Sequence, residues 1–375
     1  MRYTTLIACI LHNKKDKVLP TVHIPMRFIR GVYFTIFYIG LTCLAAATPV
    51  DLSDDRDPFD TFTIYWENDV FANTDRNYTN GFKLTWSTPY LSAGNAQTRL
   101  PQWSYPVINS LPFVNDPADQ RAVSLSLGQN IYTPVDTQER GLIEDDRPYA
   151  GYSYVAVGFH SKDGRRQNTW EFDIGVVGPY SGAGQYQNFV HEIIDSPSVK
   201  GWDNQIGNEL TGEVICESKW KLFQYRRVQG LGFDSHYHLG GRVGNVFTYA
   251  NTGLEFRLGW NLPNNFGSCP IRAGCETNHA FNDDQSDLSQ SNDYTLHLFM
   301  GFDGRVVARD IFLDGNTFQD SHNVDKEPLV ADIIGGIGWN KGRFSLSYAY
   351  VYRTKEFEDQ EKPQVFGAIT MSFLF

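Results

Sequence analysis

The stretch that decides the fold is FGAITMSFLF, residues 366–375. Large apolar side chains recur there at every second position: Ile369, Met371, Phe373 and Phe375. An extended strand places such residues on one face. An alternating run that reaches a final aromatic is typical of the closing strand of a bacterial outer-membrane barrel. A half-buried strand of a soluble sandwich alternates in the same way, so the rest of the chain has to decide between the two folds.

The N-terminal segment has the features of an export signal. Residues 26–30 (MRFIR) form a basic n-region, residues 32–44 are apolar, and Ala45-Ala46-Ala47 fits an A-x-A cleavage site. We expect residues 26–47 to be a signal peptide and residues 48–375 to form an outer-membrane β-barrel domain. Residues 1–25 contain the polar stretch HNKKDK, and we interpret them as a doubtful N-terminal extension.

Composition agrees with a membrane barrel. The chain has 26 Phe, 20 Tyr and 8 Trp, yet its mean hydropathy is only −0.36. Strands that alternate lipid-facing and lumen-facing residues combine many aromatics with a modest mean hydropathy. A net charge of −11 argues against a nucleic-acid partner. The sequence therefore predicts an all-β, antiparallel up-and-down transmembrane barrel at the bacterial outer membrane.

Strand-like runs occur about twelve times, an even number as bacterial barrels require. The run 293–313 contains Gly301 and Gly304 and is compatible with one bent strand or two. The predicted strands are 61–69, 78–88, 121–131, 149–160, 168–178, 210–227, 232–242, 246–260, 293–313, 328–339, 342–354 and 364–375.

Two segments interrupt this pattern, and we expect both on the extracellular side because periplasmic turns are short. In residues 184–195, Phe189 and Ile193 are four apart, which is helix spacing. Residues 263–292 form a long polar loop with Cys269 and Cys275, a pair compatible with a small disulfide in an oxidising compartment.

Oxygen-bearing side chains collect in WENDVFANTDRNYTNG, residues 66–81, where two predicted strands meet a polar loop. Asn, Asp and Thr oxygens suit a hard cation such as Ca²⁺, which takes six to eight oxygen ligands. The same residue types also favour ordinary turns for backbone reasons, so a plain turn remains the alternative at this point.

His191 is the best candidate for a general base. It lies on the predicted short helix, with Asp195 on the same helix face and Glu192 about a quarter turn away. An unperturbed pKa near 6.5 suits proton abstraction at neutral pH. The alternative is an ordinary surface-helix histidine. His236 and His238 share a strand face and suggest either a metal site or polar filling of the lumen.

Several long motifs in one order resemble the outer-membrane lipid A 3'-O-deacylase family over nearly all of the mature region. The resemblance implies a twelve-stranded barrel and calcium-dependent hydrolysis of the 3'-position ester-linked acyl chains of lipid A. The motifs are WENDVFANTDRNYTNG (66–81), GQNIYTP (128–134), DDRPYAGY (145–152), VVGPYSG (176–182), GWDNQ (201–205) and FLDGNTFQDSHNV (312–324).

The resemblance assigns roles to particular residues. It implies that Asn68, Asp69 and Thr79 form or order a calcium site and that His191 is the catalytic histidine. The family carries an acidic residue a few positions after this histidine, and the simplest alignment places Pro197 there. Asp195 or Glu192 would have to take over that role.

Two other hypotheses stay open on the sequence alone. The first is a catalytically silent barrel, such as a porin or an envelope-integrity protein, and the second is a phospholipase on glycerophospholipids. Asp145, Asp146 and Arg147 are interpreted as a buried ion network in the lumen. We expect lipid A or lipopolysaccharide and outer-membrane lipid as partners, and a monomer.

Overall fold

The computed structural model describes residues 59–69, 77–92, 99–227, 230–267 and 294–375. The predicted signal peptide, the N-terminal extension and the Cys269/Cys275 pair lie outside the described residues, as does the polar stretch 70–76. No helix in the described ranges is long and apolar enough to cross a membrane.

Twelve antiparallel strands form one closed barrel in which each strand pairs with its sequence neighbours and β12 pairs with β1. The strands are β1 (Thr61–Asn68), β2 (Asn77–Ser87), β3 (Gln120–Thr133), β4 (Ala150–Lys162), β5 (Arg166–Val177), β6 (Glu209–Arg226), β7 (Leu231–Gly244), β8 (Phe247–Trp260), β9 (Tyr294–Asp310), β10 (Leu329–Lys341), β11 (Phe344–Arg353) and β12 (Gln364–Leu374). The predicted strand count and the closed up-and-down topology are confirmed. The predicted run 293–313 contains one strand rather than two, and this strand is β9, Tyr294–Asp310.

The described part of the chain contains three α-helices outside the sheet: α1 (Ser104–Ser110), α2 (Ala183–Ile194) and α3 (Ile311–Asp314). Short 3₁₀ turns cover Pro179–Ser181 and Trp202–Asn204. The helix expected over residues 184–195 is therefore present as α2, which ends at Ile194.

Strand β9 shows why the chain folds as a membrane barrel. Its exposed positions are large and apolar, and they alternate with buried positions that include Thr295, His297 and Asp303. A soluble sheet would bury the apolar face, whereas a barrel in a bilayer turns that face to lipid. The exposed positions are Tyr294, Leu296, Leu298, Met300 and Phe302.

The two insertions begin at opposite ends of the barrel. Helix α2 follows β5, an odd-numbered strand, and lies at what we call the helix end. The insertion after β8 follows an even-numbered strand, so it starts at the other end of the barrel, the end at which β12 also finishes. The expectation that both insertions lie on the same side was wrong, because strand parity in an antiparallel barrel overrides the rule based on loop length.

The lumen is filled at both ends. At the helix end, the fully buried Phe312 of α3 stacks on Tyr132 with ring centroids 3.9 Å apart. At the opposite end, the buried Arg257 pairs with Asp234 at 2.7 Å. We call these two groups of buried side chains, around Phe312 and around Arg257, the plugs of the lumen. Charged side chains line a cavity inside the lumen.

The predicted ion network around residues 145–147 is confirmed in part. The fully buried Arg147 lies 4.9 Å from the ring centroid of Tyr132 and pairs with Glu356 at 3.3 Å. Asp146 is buried, and its carboxylate accepts hydrogen bonds from the Val135 and Arg147 amides. Asp145 is exposed, so its assignment to a buried network was wrong: the chain turns into the lumen only from Asp146.

Candidate functional site

The predicted oxygen cluster lies where β1 ends and β2 begins. Asn68 is the last residue of β1, and the adjoining Asp69 is fully buried. The Asn68 Nδ2 atom donates to Asn80 Oδ1 at 3.2 Å, and the indole Nε1 of Trp66 donates to the same oxygen at 3.0 Å. These two bonds hold the carboxamide of Asn80 in one orientation and join the two strands at the rim.

A β-bulge in β2 places Thr79 on the outer wall. The register between β2 and β3 shifts between Tyr78 and Asn80. Tyr78 lines the lumen cavity, whereas the Thr79 hydroxyl lies 2.7 Å from the Thr133 hydroxyl. Bulges of this kind redirect a side chain locally. Because of this bulge, the side chains of Thr79 and Asn80 both face away from the lumen. Strict alternation would turn one of the two toward the lumen.

Helix α2 is held against the outer wall of β3 and β4. The Gln129 Nε2 and Ser153 Oγ atoms both donate to the Ser181 carbonyl, at 2.9 and 2.8 Å. Gly151 leaves room for the helix, since a Cβ there would fall inside the contact distance of Ala183 and Ser181. The helix therefore lies directly on the barrel surface.

A second layer supports α2 from the segment that follows it. The buried Trp202 donates from Nε1 to Gln187 Oε1 at 2.9 Å, and its ring lies 5.2 Å from that of Tyr149. The Asn188 Oδ1 atom accepts from the Val199 amide at 2.9 Å. Tyr149 of the motif DDRPYAGY and Trp202 of the motif GWDNQ thus help to fix the position of this helix.

His191 lies on the buried face of α2. Its Nδ1 atom is 2.7 Å from the carbonyl oxygen of Pro197. Because a carbonyl can only accept, Nδ1 carries the proton, and the lone pair of the neutral ring is on Nε2. A general base needs this tautomer, with one nitrogen held and the other ready to take a proton.

The partner of the His191 ring at Nδ1 differs from the one expected. We predicted the carboxylate of Asp195 or Glu192, but the contact is made by the Pro197 backbone. Asp195 does not continue the helical spacing, because it is the left-handed C-cap of α2 with φ 58°. Asp is among the few residues that tolerate this conformation, and the resulting reversal brings Pro197 back to the ring. Glu192 is exposed.

Both parts of the predicted site lie on the outer wall at the helix end. The helix that carries His191 packs on β3 and β4, and Thr133 of β3 bonds Thr79 of β2. Asn68 belongs to β1, the next strand along. The tertiary structure thus brings the hairpin and the histidine helix to neighbouring strands.

The donor set of the hairpin suits a hard cation. A buried carboxylate from Asp69, an amide from Asn68 and a hydroxyl from Thr79 are all oxygen-bearing groups, and Ca²⁺ prefers oxygen ligands. Across the described ranges, no group of three or more His, Cys, Asp and Glu side chains is arranged to hold a metal ion. The alternative metal site at His236 and His238 gains no support, since His238 pairs with Asp303 at 2.7 Å as part of the lumen filling.

Sequence reasoning missed two members of the site. Gln187 precedes His191 by one helical turn, and its Nε2 atom is buried without a hydrogen-bond partner in the described part of the chain. Its helical spacing of four from His191 was the available signal. The Pro197 carbonyl carried no such signal, because every residue has one.

A family model and several solved structures are similar to this chain. A family model described as "Outer membrane protein LpxR" matches residues 36–375. Among solved structures, LpxR from Salmonella typhimurium aligns with a TM-score of 0.66 and 19% sequence identity, covering 84% of this chain and 100% of that one. The β domain of the Bordetella autotransporter BrkA reaches a TM-score of 0.42 and 9% identity, covering 85% and 100%.

A search of curated proteins gave no match. The likeness to the Salmonella structure shows the fold, and the family assignment rests on the family model, which spans most of the chain. That assignment also places the protein in the bacterial outer membrane. The chain belongs to the outer membrane protein LpxR family, the lipid A 3'-O-deacylase family that its motifs resemble.

Proposed function

We propose that this protein is a calcium-dependent ester hydrolase that removes the 3'-position ester-linked acyl chains of lipid A. The observation that carries the proposal is the hydrogen bond from His191 Nδ1 to the Pro197 carbonyl. It fixes the ring in the tautomer of a general base, on a helix that lies against the lipid-facing wall. Family membership supplies the substrate class.

In the proposed reaction, His191 Nε2 removes a proton from a water molecule whose oxygen attacks the ester carbonyl carbon. The imidazolium then returns the proton to the departing sugar alkoxide, so that water and ester become a fatty acid and an alcohol. The Pro197 carbonyl stabilises the imidazolium, because the Nδ1–H bond strengthens as the ring gains charge. General-base catalysis of this type typically contributes about 10²–10⁴-fold in rate.

Asn68, Asp69 and Thr79 are the residues that would hold calcium beside this base. When bound, the ion would supply a Lewis acid for the ester carbonyl oxygen. The carboxylate of Asp69 supplies negative charge, and the bonds that anchor Asn68 and Thr79 to the neighbouring strands hold their side chains in place. Loss of one oxyanion contact typically costs about 10²–10³ in rate.

The filled lumen argues against the porin alternative. Arg147 and Phe312 are fully buried at the helix end, and Arg257 is buried at the other end. A diffusion channel needs an open aqueous path, which these plugs obstruct.

The test is mass spectrometry of purified lipid A after incubation with the refolded barrel, with calcium or with a chelator. We expect loss of the 3'-linked acyl group with calcium only, and a fall of at least about 10² with His191→Ala. Glu192→Gln is the matched control, because Glu192 is exposed on the same helix. Full activity of His191→Ala would refute the assignment of the base.

A parallel arm with glycerophospholipid vesicles distinguishes the phospholipase alternative. Hydrolysis of phospholipid but not of lipid A would transfer the same chemistry to that substrate. No hydrolysis of either lipid by a barrel that shows heat-modifiable gel mobility would identify a catalytically silent member of the family.

A further inference from the structure

The outer face of α2 is apolar and exposed. Tyr186, Phe189 and Ile193 follow helical spacing and are 40%, 59% and 50% exposed. The opposite face carries Gln187 and His191, both buried against the wall. Glu192 is the only charged residue of this helix. An apolar stripe of this kind on a short helix is costly in water.

The exposed stripe continues the lipid-facing surface of the barrel. Leu127, Val155 and Ile174 are direct cross-strand neighbours on β3, β4 and β5, and all three are exposed. Gln129 and Ser153 lie two positions further along β3 and β4, toward the helix end, and they bind the turn that precedes α2. Two residues along a strand correspond to roughly 7 Å, so the helix begins one pleat above this apolar row.

From this continuity we infer that the outer face of α2 inserts into the acyl-chain region of the leaflet at the helix end of the barrel. The outer face of α2 therefore contacts bilayer lipid rather than a second protein. Tyr186, together with Tyr180 in the preceding turn, provides amphipathic rings that suit the headgroup boundary. Phe189 and Ile193 provide the apolar anchors. Interfacial helices lie with their apolar face about 5–10 Å deep in the boundary region.

Insertion would set the height of His191 relative to the membrane. The helix is clamped between lipid on one face and the barrel wall on the other. The buried His191 is then held at the level where acyl chains meet their headgroups. The insertion itself does not depend on the proposed hydrolysis, and only the consequence for His191 does.

The first test is photo-crosslinking in the full-length protein reconstituted in lipid vesicles. Benzoylphenylalanine replaces Phe189, with the lipid-belt position Ile174 as positive reference and the exposed loop residue Glu361 as negative reference. We expect lipid adducts at position 189 in a yield similar to that at position 174, and few at position 361. A protein–protein adduct at position 189, or a lipid yield as low as at position 361, overturns the inference.

The second test is the variant Phe189→Asp, assayed on lipid A in vesicles and on lipid A dispersed in detergent. We expect a fall of about tenfold or more in the rate on vesicles and little change in detergent, where the substrate need not be reached within a bilayer. An equal rate in vesicles for variant and wild type would contradict insertion. Inactivity of the wild-type protein on both substrates would contradict the proposed hydrolysis, and the crosslinking result would still decide the insertion.

Discussion

Gly151 is the position at which one added methyl group should slow the proposed reaction and leave the barrel intact. It lies on the outer side of β4, under the start of α2. A Cβ at this position would come within 3.0 Å of Ala183 Cβ and of Ser181 Oγ. The variant Gly151→Ala therefore tests the position of α2 while the fold of the sheet stays unchanged.

The size of the effect follows from the contact distances. Ordinary van der Waals contact begins at 3.4 Å, so α2 must retreat by more than 0.4 Å (3.4 − 3.0) to admit the methyl group. A misplacement of about 1 Å at an active site costs about 10² in rate. We therefore expect Gly151→Ala to lower the deacylation rate about tenfold. Overpacking of this kind typically costs about 1–3 kcal/mol, here confined to the contact between helix and wall.

The assay is the initial rate of 3'-acyl loss from lipid A by mass spectrometry, with heat-modifiable gel mobility as the measure of barrel folding. Gly335→Ala is the matched control, because it makes the same change in strand β10 with nothing within 4 Å of the new Cβ. We expect the control to keep wild-type activity and both variants to fold. Equal rates for the two variants would refute the view that contact between Gly151 and α2 positions His191.

Two further predictions concern stability. Arg147→Met leaves the buried Glu356 with one arginine partner fewer, and we expect the free energy of unfolding in urea to fall by about 3 kcal/mol. The control Arg343→Ala, on an exposed turn, should lower it by less than about 0.5 kcal/mol. An equally small loss for Arg147→Met would contradict the buried ion pair. Burial raises the pKa of the Asp60 carboxyl from 3.8 to about 6, so the folded state binds more protons than the unfolded state between these values. The free energy of unfolding should therefore fall as the pH rises from about 4 to about 6, and Asp60→Asn should reduce this dependence. An unchanged pH profile of stability in the variant would contradict the raised pKa of Asp60.

The architecture was predictable because its signal is local. Alternation at period two in runs such as 293–313 and 364–375 reports directly that one side of a strand contacts lipid. The helix 184–195 was also visible, from the spacing of Phe189 and Ile193. The end of the barrel at which residues 263–292 begin was mispredicted. The prediction of the barrel end relied on the length of the loop. The parity of the preceding strand, which the strand count already supplies, gives the correct end.

The candidate site was predictable only as a set of residue types. Asn68, Asp69 and Thr79 were recognisable from their motif, and His191 from its helix. The bulge that turns Thr79 outward was not, because it depends on how Tyr78 packs in the lumen against Tyr132. The support that Tyr149 and Trp202 give to α2 was also not predicted, since it depends on contacts between segments distant in sequence.

The sequence by itself determined the strand pattern, the closed barrel, the helix and the identity of the candidate base. Period and composition report how each short segment meets water, lipid or its own neighbours, and a barrel is the closed arrangement that satisfies them. The tertiary structure alone decided that the His191 ring is held by the Pro197 carbonyl rather than by a carboxylate. A backbone carbonyl is the same in every residue, and only the left-handed turn at Asp195 brings this one to the ring.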